Sequence, residues 1–342
     1  MNTVILPKAD MAYRGVRPVW RRLFYRLLQV VPTVFVIVLV SFALMKAAPG
    51  DLVDVMAGES GGATAEYMQE MRELYGLDAP IQKQFLTFMN RVIHLDLGYS
   101  FRDSMPVSTL IAGALPATLL LSLSALAFAL IVGVALGVLS ARYRGTALDT
   151  GITVFSSIGF ATPLFWIGLM FIVFFGVKLR WLPVAGFSTV GADYANTWQY
   201  IKDVGMHLVL PALSLGIYYL ALYVRLTRSA MLDILDLDFV RTARAKGLTE
   251  RRVLLRHVLR NALLPIVTIT GLHLGGLFSG TVVIETVFGW PGLGRLAYDA
   301  VGARDLNLFL SIFLCSSVLV ISMNLAVDFL YAVLDPRIEV AR

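Results

Sequence analysis

The stretch ATLLLSLSALAFALIVGVALGVLSA, residues 117–141, runs from Ala117 to Ala141 without one Asp, Glu, Lys or Arg. At about 1.5 Å of rise per residue, a helix of this length covers the roughly 30 Å of a bilayer's hydrocarbon with a turn to spare. A soluble core needs no such run. A segment in lipid must satisfy its own backbone polar groups, so the stretch predicts a transmembrane helix. Gly133 and Gly137 stand one turn apart in it, a spacing that lets a second helix approach closely.

Five further charge-free runs flank it: Leu27–Met45, Ile152–Val177, Leu208–Val224, Ala262–Ile284 and Leu306–Val327. They account for a composition that is 58% hydrophobic and only 15% charged, against roughly 45–50% and about 25% in soluble domains. The residues alone therefore predict an all-α integral membrane protein with six transmembrane helices. The net charge of +6 is a matter of topology rather than of nucleic-acid binding. With the N-terminus inside, 19 of the 29 Lys and Arg residues fall on the inner side. They comprise Lys8, Arg14, Arg17, Arg21, Arg22 and Arg26, then Arg142 and Arg144, nine between Arg225 and Arg260, and Arg337 and Arg342. This positive-inside bias predicts an N-in/C-in arrangement. The first run exceeds the 7–15 residues of a signal-peptide core. Cys315, the one cysteine, lies inside the sixth run, so it offers neither an internal disulfide nor a metal cluster. No metal site is expected.

The domain reading follows from the runs. Residues 1–26 form a basic cytoplasmic N-terminus, 27–46 the first span, 47–116 a small helical periplasmic subdomain, 117–333 a five-helix core and 334–342 a cytoplasmic tail. In the subdomain, Thr64 is placed to cap a helix ending at Gly76. Pro80 starts another, with Ile81, Phe85, Phe88 and Val92 on one face. Trp181 and Trp198 in the next outer loop suit an interface.

Residues 225–261 are the loop between the fourth and fifth runs, and its core with the start of the next run reads DFVRTARAKGLTERRVLLRHVLRNALLP, residues 238–265. Met231 to Lys246 reads as helix, and Gly247 as the left-handed residue that ends it. Thr249 is placed to cap a second helix, with Glu250 in its first turn. Arg252, Arg256 and Arg260 mark one face, and Leu254, Leu255, Val258 and Leu259 another. The spacing thus predicts two short helices about a glycine elbow at the membrane surface. Two readings fit: a face resting on anionic headgroups, or a docking element whose apolar knobs enter a partner's groove.

This loop resembles the EAA loop of ABC importer permeases in the form found in the dipeptide, oligopeptide and nickel class. Arg241, Thr242 and Ala243 stand at the Glu-Ala-Ala positions, Gly247 at the glycine, and Leu264-Pro265 at the closing Leu-Pro. Arg241 departs from the acidic residue of the general pattern, and the distance from Gly to Pro is longer than in sugar importers. Other stretches are similar to the same class: Pro49-Gly50-Asp51, Tyr75-Gly76-Leu77-Asp78, Asp96 to Phe101, Leu115-Pro116-Ala117-Thr118, Glu285 to Leu296 and Asp335-Pro336-Arg337. The long first outer loop resembles the B-type subunit.

The resemblance implies an ABC importer type I permease fold, forming half of a pore for peptides, nickel complexes or related solutes. It implies a second homologous permease subunit as heterodimer partner, two ABC ATPase subunits that carry ATP and Mg, and a periplasmic solute-binding protein, all at the bacterial inner membrane. Arg241, Thr242, Ala243, Arg244, Ala245, Lys246, Gly247, Leu248, Leu264 and Pro265 would couple to the ATPase. Trp290, Pro291, Gly292, Gly294 and Arg295 would form an outer gate and meet the binding protein. The chain has no Gly-x-x-x-x-Gly-Lys-Ser/Thr of its own, so no cofactor and no catalytic residue are expected in it.

Two other classes fit the residues less well. An ion-coupled secondary carrier places charge at mid-membrane depth, whereas only His273 lies in a run, with His207 and Asp328 at span ends. An intramembrane serine protease would use Ser279-Gly280 with His273, which lie about 9 Å apart along one helix. The sequence has no His-Glu-x-x-His metal motif.

Overall fold

The computed structural model describes residues 19–47, 53, 64–74, 77–100, 102–275 and 280–334. The quoted motifs at 49–51, 75–76 and 335–337, together with Phe101 and Ser279, lie outside the described residues.

The helix that carries residues 117–141 starts earlier than the apolar run, as α4, Val107–Arg142. Helix α4 is paired most extensively with α7, Thr197–Leu235. The pairing is close because neither helix has bulk at the crossing. A Cβ on Gly133 would lie 2.6 Å from Tyr223 Cβ, and one on Gly137 would lie 2.5 Å from Thr227 Cβ. Gly216 of α7 answers from the other side, where a Cβ would meet Phe128 at 2.6 Å. The expected glycine contact is therefore built, and Leu121, Ala125, Ala129, Leu215 and Tyr223 close over it as the main core.

One span differs from its expected continuous form. Residues 152–177 are bent by 102° between α5, Ala147–Ala161, and α6, Leu164–Phe171, which continues as a wide π-type stretch over Ile172–Lys178. The cause is Thr162-Pro163. Thr162 is extended at φ −81°, ψ 132°, the conformation that a following proline imposes by steric clash. In the fifth run, Gly280 is a turn residue immediately before α11, Thr281–Phe288, and α10, Leu259–Gly275, precedes it. Glycine has weak helix preference, and Ile284 belongs to α11. Among the described residues, five helices are long and apolar enough to cross a membrane, or six if the bent pair is counted as one span.

Residues 107–116, read from the sequence as the end of the outer subdomain, are helical as the first part of α4. The remainder of the subdomain holds α2, Ala65–Leu74, and α3, Ile81–Ile93. Thr64 Oγ1 accepts from the Tyr67 amide at 3.3 Å, the expected cap. Phe85 and Phe88 pack edge-on and tilted against Phe42 of α1, Val19–Ala47, at ring distances of 5.3 and 5.8 Å. Ile81 stays exposed at the margin. A two-residue antiparallel ribbon, Tyr99–Ser100 with Met105–Pro106, follows. It is fastened to α13, Leu306–Leu334, where Asn307 Nδ2 donates to Tyr99 O at 3.1 Å and Ser100 Oγ donates to Asp305 at 2.6 Å. The turn before it is fixed by Asp96. Arg91 and the Gly98 amide hold that carboxyl below its usual range.

Candidate functional site

The basic end of the bundle is organised by the glycine elbow. Helix α7 stops at Leu235 rather than running to Lys246, and α8, Asp238–Ala245, starts after a short break. Gly247 is left-handed at φ +75°. Its amide donates to Arg244 O at 2.9 Å, and the Leu248 amide to Ala243 O at 3.4 Å. These are the two bonds of a Schellman ending, which satisfies carbonyls that the helix would otherwise leave open. After it come α9, Glu250–Arg252, a π-type stretch over Val253–Val258, and α10. The chain therefore passes without a break from the elbow into the next apolar helix.

Thr249 makes no side-chain cap. Glu250 instead closes the elbow, accepting from Arg244 Nη2 at 2.8 Å and Nε at 3.2 Å. The apolar face is also assigned differently than the sequence suggested. Val240, Ala243, Val253, Leu254 and Val258 are buried against Met231 of α7 and Ala141 of α4. They anchor the elbow to its own bundle and are not free to enter a partner's groove. The surface left outward carries Arg241, Thr242, Arg244, Ala245, Lys246 and Gly247, flanked by Phe239 and Leu255, with Leu248 half-buried. Leu264 and Pro265 are exposed, but they lie about 8 Å along α10 from its start, with the π-type stretch and α9 between them and the elbow. The structure does not bring them to the elbow.

A polar cluster beside this surface was missed by the sequence reading. Asp149, in the first turn of α5, is buried. It accepts from Arg228 Nε and Nη2 of α7 at 2.8 and 2.9 Å, from the Gly145 amide at 2.9 Å, and from Ser140 of α4. One carboxylate thus ties three helix ends together. The planar guanidinium fork gives the pair its direction. A legible signal existed: Thr146 and Asp149 have the spacing of a capping box before an apolar run, and Thr146 Oγ1 accepts from the Asp149 amide at 3.5 Å.

At the opposite end, a second helix–glycine–helix turn joins α11 to α12, Leu293–Gly302, through Gly289 at φ +61°. Trp290 is fully buried rather than presented. Its Nε1 donates to Ala117 O at 2.8 Å, and its ring lies 4.8 Å from that of Phe187. Glu285 is buried as well. Thr118 Oγ1 donates to Glu285 Oε1 at 2.7 Å while accepting from the Leu293 amide, also at 2.7 Å. The Arg295 amide donates to Glu285 Oε2 at 2.9 Å. The first turn of α12 therefore serves as the counter-charge for the carboxylate, since its free amides carry the positive end of the helix dipole.

Gly292 and Gly294 are the cradle. A Cβ on Gly292 would collide with the Glu285 carboxylate, and one on Gly294 would lie 2.7 Å from Val282 Cα. Among the expected gate residues only Pro291 is exposed and Arg295 half-exposed, its Nη1 donating to Gly289 O at 2.6 Å. Tyr298, Asp299 and Val301 form the outward face of α12. Glu285 escaped the sequence reading because it sits one residue beyond the charge-free run and so counted as a loop residue.

Between the two ends, His273 is packed against Tyr219 and Tyr223, at ring distances of 5.0 and 6.1 Å. His207 Nδ1 lies 2.9 Å from Asp203 O. Among the described residues no group of three or more His, Cys, Asp or Glu side chains is placed to hold a metal.

Comparison with known proteins agrees with this geometry. The family described as binding-protein-dependent transport system inner membrane component matches residues 133–340, and its N-terminal companion matches residues 19–124. The chain is 42% identical over 315 residues to the oligopeptide transport system permease protein AppB of Bacillus subtilis, covering 92% of this chain and 98% of that one. It is 41% identical over 331 residues to the dipeptide transport system permease protein DppB of Escherichia coli K12, covering 92% and 97%. In fold it is similar to a chain of the inward-facing MetNI methionine ABC transporter, with a TM-score of 0.55 at 18% identity, over 67% of this chain and 98% of that one.

Proposed function

The chain belongs to the binding-protein-dependent transport system inner membrane component family, and from that premise we propose that it forms half of a translocation pore for di- and oligopeptides. It is a multi-pass inner-membrane permease subunit of an ABC importer and not an enzyme. Two relatives at about 40% identity carry peptide permease names, and these favour peptides over nickel complexes. The charge bias favours a cytoplasmic position for the basic end and both termini. In this reading the other half of the pore is a homologous permease. Two ATPase subunits hold ATP and Mg, and a periplasmic binding protein delivers the solute.

The observation that carries the reading is the elbow at Gly247. Its apolar side is anchored to α4 and α7 while its polar side faces outward. An ATPase seated on Arg241, Thr242, Ala245 and Lys246 would push on a body fastened to the two best-packed helices. Closure of the ATPase dimer would then tilt those helices and change the side to which the pore opens, a hinge-type switch. At the far end, Pro291, Arg295 and the outward face of α12 suit the binding protein, with Trp290, Gly292 and Gly294 as their buried support.

The test is ATP-driven peptide uptake by the reconstituted importer carrying Gly247→Val. A Cβ there meets no atom within 4 Å, but the left-handed backbone resists it. The chain is expected in the membrane at normal level with uptake lost. Normal uptake by that variant would exclude the elbow as the coupling element.

A further inference from the structure

The two halves of the bent span are fastened to opposite ends of the bundle. Helix α6 belongs to the end that holds Trp290 and Glu285. A Cβ on its Gly168 would lie 3.1 Å from the ring of Phe288, the last residue of α11. Helix α5 starts at the basic end, and of its 15 residues Asp149 and Ser156 are the buried ones. Among the described residues, none from α5 joins the apolar core under the elbow. What ties the start of α5 to that end is the Asp149 carboxylate. One oxygen accepts from Ser140 of α4, and the Arg228 fork of α7 spans both. These two partners stand beside the elbow's own anchors. Ser140 precedes Ala141, and Arg228 lies three residues, less than one turn, before Met231. Ala141 and Met231 are what Val240, Ala243, Val253, Leu254 and Val258 pack against. The elbow's carboxylate is in reach of the same helix end. Arg244 holds Glu250 below its usual range, and Arg142, the last residue of α4, adds to the effect.

An ion pair is a poor choice for strength alone. Burying a charge is costly, and apolar residues of similar size often hold two helices at least as well. The bidentate fork adds direction, because it fixes how carboxylate and guanidinium lie relative to each other. We propose that Asp149 is a positioning residue for coupling: through Ser140 and Arg228 it clamps the start of α5 to the two helices that carry the elbow. A push on the elbow then moves α5 together with α4 and α7. Helix α6 stays with α11, and Thr162-Pro163 becomes the joint at which the span works. This rests on the reading of the Gly247 elbow as the seat of the ATPase.

The experiment uses the complete importer in proteoliposomes with a radiolabelled dipeptide, and reads peptide delivered per ATP hydrolysed. Asp149→Asn, which keeps the size but not the charge, is expected to lower that ratio about tenfold. Arg228→Lys, which keeps the charge but not the fork, is expected to fall with it. Ser140→Ala frees α4 alone and leaves the ion pair in place. It is expected to lower the ratio about threefold, and it serves if Asp149→Asn does not assemble. A tie that is only structural would lower the unfolding midpoint and the amount of assembled importer, yet leave the ratio of what assembles unchanged. An unchanged ratio in both the Asp149→Asn and Ser140→Ala importers, beside a Gly247→Val importer that has lost uptake, overturns the positioning role. Normal uptake by Gly247→Val would instead remove the elbow reading on which it rests.

Discussion

The two ends of the bundle use the same device under opposite conditions. At each, a left-handed glycine turns one helix into the next, and a carboxylate closes the turn. At the basic end the turn is open. Gly247 has empty space around its α-carbon, and Glu250 pairs with Arg244 where both are about half exposed. At the other end the turn is sealed. Glu285 is completely buried, bonded to a hydroxyl and a helix N-terminus, and two glycines are required for it to fit. An open turn is suited to meet a partner. A sealed turn is suited to hold α4, α11 and α12 in one piece. Removing parts from each should therefore harm different properties.

The largest stability loss is expected for Glu285→Ala, which strands the Thr118 hydroxyl and the Arg295 amide in a buried site. The cost is about 3 kcal/mol, read as a lower unfolding midpoint in detergent. Gly292→Ala should follow at about 2 kcal/mol, because the new methyl displaces the carboxylate. Asp149→Asn should cost about 1.5 kcal/mol, since it removes the charge that Arg228 binds in a partly exposed pair. At the open turn the numbers fall. Gly247→Ala should cost about 1 kcal/mol, from backbone strain alone, yet abolish ATP-driven uptake. Arg244→Ala should cost under about 1 kcal/mol, and less at high salt. Equal losses at the two turns would erase the contrast between them.

Much of this was legible in the sequence, for a physical reason. A bilayer demands unbroken apolar length, so the spans were visible as runs, and Gly133 with Gly137 marked a close helix approach without naming its partner α7. The elbow was legible too, because a left-handed C-terminal residue selects glycine so strongly. Proline misled in both directions. Pro116 reads as a boundary yet lies inside α4, as Pro32, Pro211 and Pro265 lie inside α1, α7 and α10. Pro163 was read through, yet it ends a helix. A packed helix in a bundle can satisfy the freed carbonyls, and whether it does depends on neighbours that the local sequence does not specify.

The buried groups were hidden for a similar reason. Nothing in the residues around Glu285 says that Thr118, more than 160 positions away, will meet it. The apolar face of the elbow was visible as a face, but its occupant was not. The chain's own Met231 and Ala141 fill it, leaving the polar side facing outward.

The most direct test is amide hydrogen exchange on the intact importer and on the same complex stripped of its ATPase subunits. Exchange at residues 241–250 should slow markedly when the ATPase is present, while the amides of α11 and α12 should be slow in both samples. Exchange at 241–250 that is indifferent to the ATPase would contradict the assignment of the open glycine turn as the seat of the engine.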